Sequence, residues 1–241
     1  MLRVNELNAG YKELHILFDV NAGIDEGITA FIGPNGSGKS TLLKAIFGLT
    51  TIYGGKITYN GADITLMKPY AKTRLGITYL PQIENVFPTL SVKENLVIAG
   101  YTLDKGALKE RMDAALDIFP ELAGLMRKKA GVLSGGEKQF LAISSTLIRN
   151  SEVLMLDEPT AHLSPKLAES VLKKIVELRD RLKLTIALVE QNIGGALAIS
   201  DRANLLVSGK IVFSGDAGEV LARVKQEKQI GVETEREVIK A

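Results

Sequence analysis

The chain has 241 residues, 46% hydrophobic and 24% charged, with a formal net charge of +2. That is enough for one large globular domain or two small ones, and so weak a charge argues against nucleic acid as the main partner. The absence of cysteine excludes disulfides and thiolate metal sites, and with neither a signal peptide after Met1 nor an apolar run near the ~20 residues of a membrane span, any membrane role is expected to come through a partner.

Taken in order, Leu2–Leu7, Leu14–Ile24 and Lys56–Tyr59 read as short strands, and Asn60-Gly61 as a turn. His15 falls within the second of these strands and reads as an ordinary strand residue. Between them, the apolar run Ile28–Ile32 leads into Gly33-Pro34-Asn35-Gly36-Ser37-Gly38-Lys39-Ser40 and then a helix over Lys39–Phe47 that Gly48 can end. A strand feeding a helix through glycines aims several backbone N–H groups, and the positive end of the helix dipole, at one point. The segment fits the phosphate-binding pattern G-x-x-x-x-G-K-S/T. Lys39 is expected to reach β- and γ-phosphates and the Ser40 hydroxyl to bind Mg²⁺.

Leu75–Leu80 is the next predicted strand, ended by Pro81. From about Ser91 to Arg149 the pattern turns helical. Ser91-x-x-Glu94 is a capping box, and Leu108–Leu116 and Glu137–Ile148 carry helical spacing. Within this stretch, Leu133-Ser134-Gly135-Gly136-Glu137-Lys138-Gln139 has two readings. It offers a second anion site, or, on spacing alone, it is an ordinary helix N-cap.

Val153–Leu156 reads as a buried strand followed by Asp157 and Glu158. Acids at the C-terminal end of such a strand stand where ligands bind in α/β sheets. Asp157 suits a Mg²⁺ ligand, acting through water, and Glu158 is placed to polarise an attacking water. Leu167, Val171, Leu172, Ile175, Val176 and Leu178 form a helical stripe expected to be core. Leu184–Val189 is another strand, and Leu205–Val207 with Ile211–Phe213 a final hairpin. Alternating strands and helices predict an α/β protein with a mostly parallel sheet and the helical middle inserted into it. The charged tail after Arg223 is expected to be a surface helix or mobile.

The order of glycine loop, glutamine after a strand (Tyr79-Leu80-Pro81-Gln82), LSGGEKQ and Asp-Glu strand resembles the ABC-type ATPases, over about Leu2 to Leu221. The resemblance implies a P-loop NTPase (RecA-like) core with an N-terminal antiparallel β subdomain and an inserted α-helical subdomain. The expected division is 1–81 (β subdomain and first part of the core), 82–150 (helical subdomain), 151–222 (second part of the core) and 223–241 (tail). It also implies ATP and Mg²⁺ held between two chains, Gly33 to Ser40 and Thr41 of one facing Ser134, Gly135 and Gly136 of the other. Tyr11 stands where the family stacks an aromatic ring on adenine, although a tyrosine in an early strand is also often merely packed. Gln82 matches the glutamine that reaches Mg²⁺ and the water, in a loop that faces a transmembrane partner; otherwise it is a polar surface residue. Glu158, Lys39, Gln82 and Gln191 make up the expected catalytic set, and Ser40, Gln82 and Asp157 the metal set.

Two positions depart from the family pattern. Gln191 stands where most members have a histidine that contacts the γ-phosphate; it can donate a hydrogen bond but carries no charge. In Ala161-His162-Leu163-Ser164 the usual interface aspartate is replaced by Ser164, and His162 either compensates near the interface or is an ordinary loop histidine.

Glu190-Gln191-Asn192 resembles the shorter ATPase of branched-chain amino-acid importers. The partners then implied are a second ATPase subunit (homo- or heterodimer), transmembrane permeases and, indirectly, an extracytoplasmic binding protein, with no nucleic acid. The chain is expected to be cytoplasmic, on the inner face of the cell membrane. Urea or amide importers, and soluble ABC-type assembly or mechanical ATPases, are the alternatives.

Overall fold

The computed structural model describes residues 1–83, 85–149 and 151–223; the charged tail lies almost wholly outside the described residues. Two sheets organise it. The first is antiparallel, β2 (Leu14–Ile24), β1 (Leu2–Tyr11), β4 (Thr51–Tyr59) and β5 (Ala62–Asp63) in that spatial order. The second has six strands: β10 (Lys210–Asp216), β9 (Arg202–Val207), β3 (Ile28–Ile32), β8 (Thr185–Val189), β7 (Val153–Asp157) and β6 (Ile77–Leu80). All its neighbours are parallel except the β9–β10 hairpin. This is the RecA-like core with its antiparallel β layer and inserted helices.

The inner strands are apolar throughout because both faces of the parallel sheet are covered. Alternation divides each strand between two cores. Ile28, Ala30, Leu154, Leu156, Ile186 and Leu188 join the helical layer. Phe31, Val153, Met155, Ala187 and Val189 face the other way, against α1 (Lys39–Phe47) and the antiparallel sheet.

The chain between β6 and β7 supplies α3 (Val92–Ala99), α4 (Lys105–Ile118) and α5 (Gly135–Ile148). Each begins at a side-chain cap: Ser91 with Glu94, Asp104 with the Gly106 and Ala107 amides, and Ser134 with Glu137. Such caps satisfy N–H groups that the first turn leaves without partners. Further helices are the short α2 (Pro69–Arg74) and α7 (Ile193–Ile199), with the long α6 (Pro165–Leu182) between β7 and β8.

Several strands, β9 and β10 among them, run further than the sequence pattern predicts. β1 continues to Tyr11 and β4 begins at Thr51, because register shifts around Glu6 interrupt the pattern on both sides of β1. A bulge adds one residue and reverses which side chains face inward. His15 packs against the Phe18 and Tyr53 rings at 4.2 and 4.8 Å. In the α6 stripe, Val171, Leu172, Ile175 and Leu178 are buried as expected, but Leu167 is 37% exposed. It lies in the first turn of α6, over Gly136, and so belongs to the rim beside α5 rather than to the core.

Lys72 of α2 is fully buried, and its ammonium donates to the Ile46 carbonyl at 2.6 Å, at the C-terminal end of α1. A cation there meets the negative end of the helix dipole. Burial nevertheless pushes its pKa down from 10.5 to about 8. The unfolded chain therefore holds this proton at pH values where the folded chain has lost it, so the Lys72 contribution to stability rises between about pH 8 and 10.5. Urea unfolding of wild type and Lys72→Met checks this. The stability difference, wild type minus variant, is expected to grow by about 2 kcal/mol from pH 7.5 to 9.5. A pH-independent difference contradicts it.

Candidate functional site

The glycine loop leaves β3 and turns back into α1. At Gly33 the backbone has φ 148°, and a Cβ would lie 2.0 Å from the Leu206 carbonyl oxygen, so only glycine fits against β9. Lys39, 4% exposed, folds back on the loop and donates to the Gly33 and Pro34 carbonyls, both at 2.9 Å. Its pKa is lowered by burial, against the opposing charges of Glu158 and Asp157. The buried Ser37 hydroxyl has no hydrogen-bond partner. The loop thus presents amides, an ammonium and an unsatisfied hydroxyl in one place.

Asp157 ends β7, and its two oxygens are separately engaged. Ser40 Oγ donates to Oδ1 at 2.7 Å and Tyr79 OH donates to Oδ2 at 2.8 Å. Burial first, and the Asp157 charge next, push the Tyr79 phenol above its ordinary range.

Glu158 follows with φ 49°, a left-handed conformation uncommon in a non-glycine residue. That turn takes its side chain out of the strand alternation and toward Gln82 and Gln191. Both amides donate to the same carboxylate oxygen, Oε2, at 2.8 and 2.6 Å. Neither glutamine engages Oε1.

Glu190 is 2% exposed and braces this turn from behind. Oε1 accepts from the Thr160 amide at 2.9 Å and hydroxyl at 2.8 Å, and Oε2 accepts from the Gln191 amide at 3.2 Å. Burial pushes its carboxyl above the usual range, and the Thr160 hydrogen bonds oppose that.

A cleft of about 330 Å³ is lined by Asn35, Gly36, Gly38, Lys39, Ser40, Thr41, Gln82, Glu158 and Gln191, with Ile16 completing the wall. The structure therefore brings the glycine loop, the Glu158 carboxylate and both glutamines together. It does not bring Ser134, Gly135 or Gly136 to the lining; they open α5 in a capping box. A Cβ on Gly136 would lie 2.9 Å from Leu167 Cδ2, the far end of a partly exposed side chain that can move aside. Tyr11 ends β1, 40% exposed and outside the lining. His162 is exposed, with φ 61°.

The roles of Tyr79, Thr160 and Glu190 escaped sequence reasoning. The first and last lie within the quoted motifs, but nothing local marks the partner of either. Ile16 carried no signal at all.

The metal-ligand atoms paired beside the loop are oxygens: the Ser40 hydroxyl and the Asp157 carboxylate, with Gln82 elsewhere on the cleft wall. Among the described residues no group of three or more His, Cys, Asp or Glu side chains is arranged to hold a metal. This sparse set fits Mg²⁺, which takes one or two protein oxygens and completes its shell with phosphate oxygens and water.

A family model described as ABC transporter matches residues 17–161. The chain is 61% identical over 229 residues to the "probable branched-chain amino acid transport ATP-binding protein LivF" of Archaeoglobus fulgidus, covering 95% of this chain and 97% of that one. To the "probable branched-chain amino acid transport ATP-binding protein LivG" of the same organism it is 31% identical, covering 93% of each. Among solved structures, a nucleotide-free ATP-binding cassette from an ABC transporter superposes with a TM-score of 0.85 at 26% identity, over 94% of this chain and 95% of that one.

Proposed function

Since the chain belongs to the ABC transporter family, as an ATP-binding and ATP-hydrolysing subunit, we propose that it powers uptake of branched-chain or related amino acids through separate permeases. The observation that carries the cargo is the 61% identity, over nearly the whole of both chains, to a protein named for branched-chain amino acid transport. A single organism has two distinct relatives of this chain, at 61% and 31% identity, which supports pairing with a second, related ATPase. Among the described residues no helix is long and apolar enough to cross a membrane. Attachment to permeases at the inner face of the cell membrane then falls to protein contacts, and an extracytoplasmic binding protein delivers the cargo from the other side. The same reading divides the chain near residues 81, 150 and 222.

In this reading Gly33 to Ser40 and Thr41 hold the triphosphate, and the exposed Tyr11 ring stacks on adenine. Lys39 exchanges its two loop carbonyls for β- and γ-phosphate oxygens. Ser40, Asp157 and Gln82 hold Mg²⁺, which when bound neutralises phosphate charge. Glu158 Oε1 takes a proton from water as its oxygen attacks the γ-phosphorus, and the bond from γ-phosphorus to the bridging oxygen breaks, leaving ADP. Gln82 and Gln191 keep Oε2 occupied, so the carboxylate presents one oxygen to water. Ser134, Gly135 and Gly136, absent from this chain's own cleft, face the γ-phosphate of the partner subunit.

The test is co-expression with candidate permeases and the second ATPase, followed by reconstitution in vesicles. ATP hydrolysis is expected to rise several-fold with leucine-loaded binding protein. Stimulation by urea or short amides, and not by leucine, overturns the cargo; failure to associate with any permease overturns the transport role.

A further inference from the structure

The two oxygens of Asp157 do different work. Oδ1 accepts from Ser40, the other protein oxygen beside the expected cation, and Oδ2 accepts from the Tyr79 phenol at 2.8 Å. Tyr79 is 9% exposed and lies on β6, directly alongside β7, in register with Met155. Its ring packs on Phe47 at the end of α1, with centroids 5.6 Å apart. The phenol is thus held by the strand pairing and by the helix that begins at the phosphate loop. A carboxylate with one oxygen tied to such a donor cannot rotate to offer both oxygens, nor swing away from Ser40, without leaving a buried polar atom unpaired.

We propose that Tyr79 is a positioning residue for the metal: it clamps Asp157 Oδ2 so that Oδ1 alone, beside Ser40, is presented to Mg²⁺. Nothing in the phosphate loop requires a phenol on β6, and packing alone would be served equally by phenylalanine, which keeps the ring against Phe47. The hydroxyl is the part with a directed partner. Partners that orient a metal ligand from behind are typically worth 10- to 100-fold in metal affinity. The inference rests on the reading that Asp157 holds the cation.

The experiment compares wild type, Tyr79→Phe and Asp157→Asn by calorimetric titration with ADP, in Mg²⁺ and in EDTA, and by Mn²⁺ binding to the ADP complex followed by electron paramagnetic resonance. For Tyr79→Phe, ADP affinity in EDTA is expected to match wild type, showing an intact loop. The gain that Mg²⁺ adds is expected to shrink about tenfold, with Mn²⁺ affinity falling in parallel. An unchanged gain, or a larger one, overturns the proposal, a larger one meaning that the phenol only drains charge from the carboxylate. If Asp157→Asn also keeps the full gain, the metal reading itself falls, and the role of Tyr79 with it. Loss of the gain in Asp157→Asn but not in Tyr79→Phe removes Tyr79 alone.

Discussion

Glu158→Gln is expected to retain ATP and almost stop hydrolysing it, with turnover down about 10³-fold. The substitution keeps the size of the side chain and removes its capacity to accept a proton. Gln82 and Gln191 can still donate to the amide oxygen that replaces Oε2, so the turn at φ 49° keeps its supports. The replacement NH₂ then stands where Oε1 faced the cleft, and a donor cannot take a proton from water. Binding should survive because the phosphate contacts come from the loop and Lys39. The checks are steady-state phosphate release and ATP retention on gel filtration, where the ATP-bound protein should elute as a dimer. Gln191→Ala is expected to slow turnover far less, since Gln82 still holds the same oxygen. Native turnover in Glu158→Gln refutes the proton-accepting role.

Lys39→Met is expected to abolish the earlier step, lowering ATP affinity at least about 100-fold through the loss of two charge-assisted hydrogen bonds. Methionine keeps most of the stem and removes the ammonium. That ammonium donates to the Gly33 and Pro34 carbonyls, both in a loop that is also supported by backbone bonds, including Ser37 N–H to Pro34 and Gly209 N–H to the Ser37 carbonyl. The fold is therefore expected to persist, and the melting temperature without nucleotide should move little. Burial disfavours the charged form of Lys39 and the charges of Glu158 and Asp157 oppose that, so phosphates beside it add counter-charge of the same sense. Fluorescent-nucleotide titration measures the loss. Affinity within a few-fold of wild type means that the loop amides alone hold the triphosphate.

The parts of the site that could be read in advance are those whose geometry is local. The loop between β3 and α1 needs only consecutive residues, so its glycines and Lys39 announce themselves. The caps at Ser91 and Ser134 are four-residue devices and are equally plain. β1 and β4 outrun their alternating patterns because bulges near Glu6 shift the alternation between them. Leu167 fitted the α6 stripe by spacing, yet its position in the first turn sets it over Gly136 and not over the sheet.

The order of motifs along the chain determined a nucleotide-binding core, because a strand, a glycine turn and a helix can assemble phosphate-binding amides in only one local way. The partners of adjacent acids are another matter. The place of Asp157 and Glu158 after the strand suggests a role for each but names the hydrogen-bond partners of neither. Tertiary structure decides those partners. Strand register places Asp157 between Ser40 and Tyr79, 117 and 78 residues away, while the left-handed turn at Glu158 sends it to Gln82 and Gln191, 76 and 33 residues away. Such pairings arise only when the sheet closes and buried carboxylates must find donors, a demand set by the whole fold.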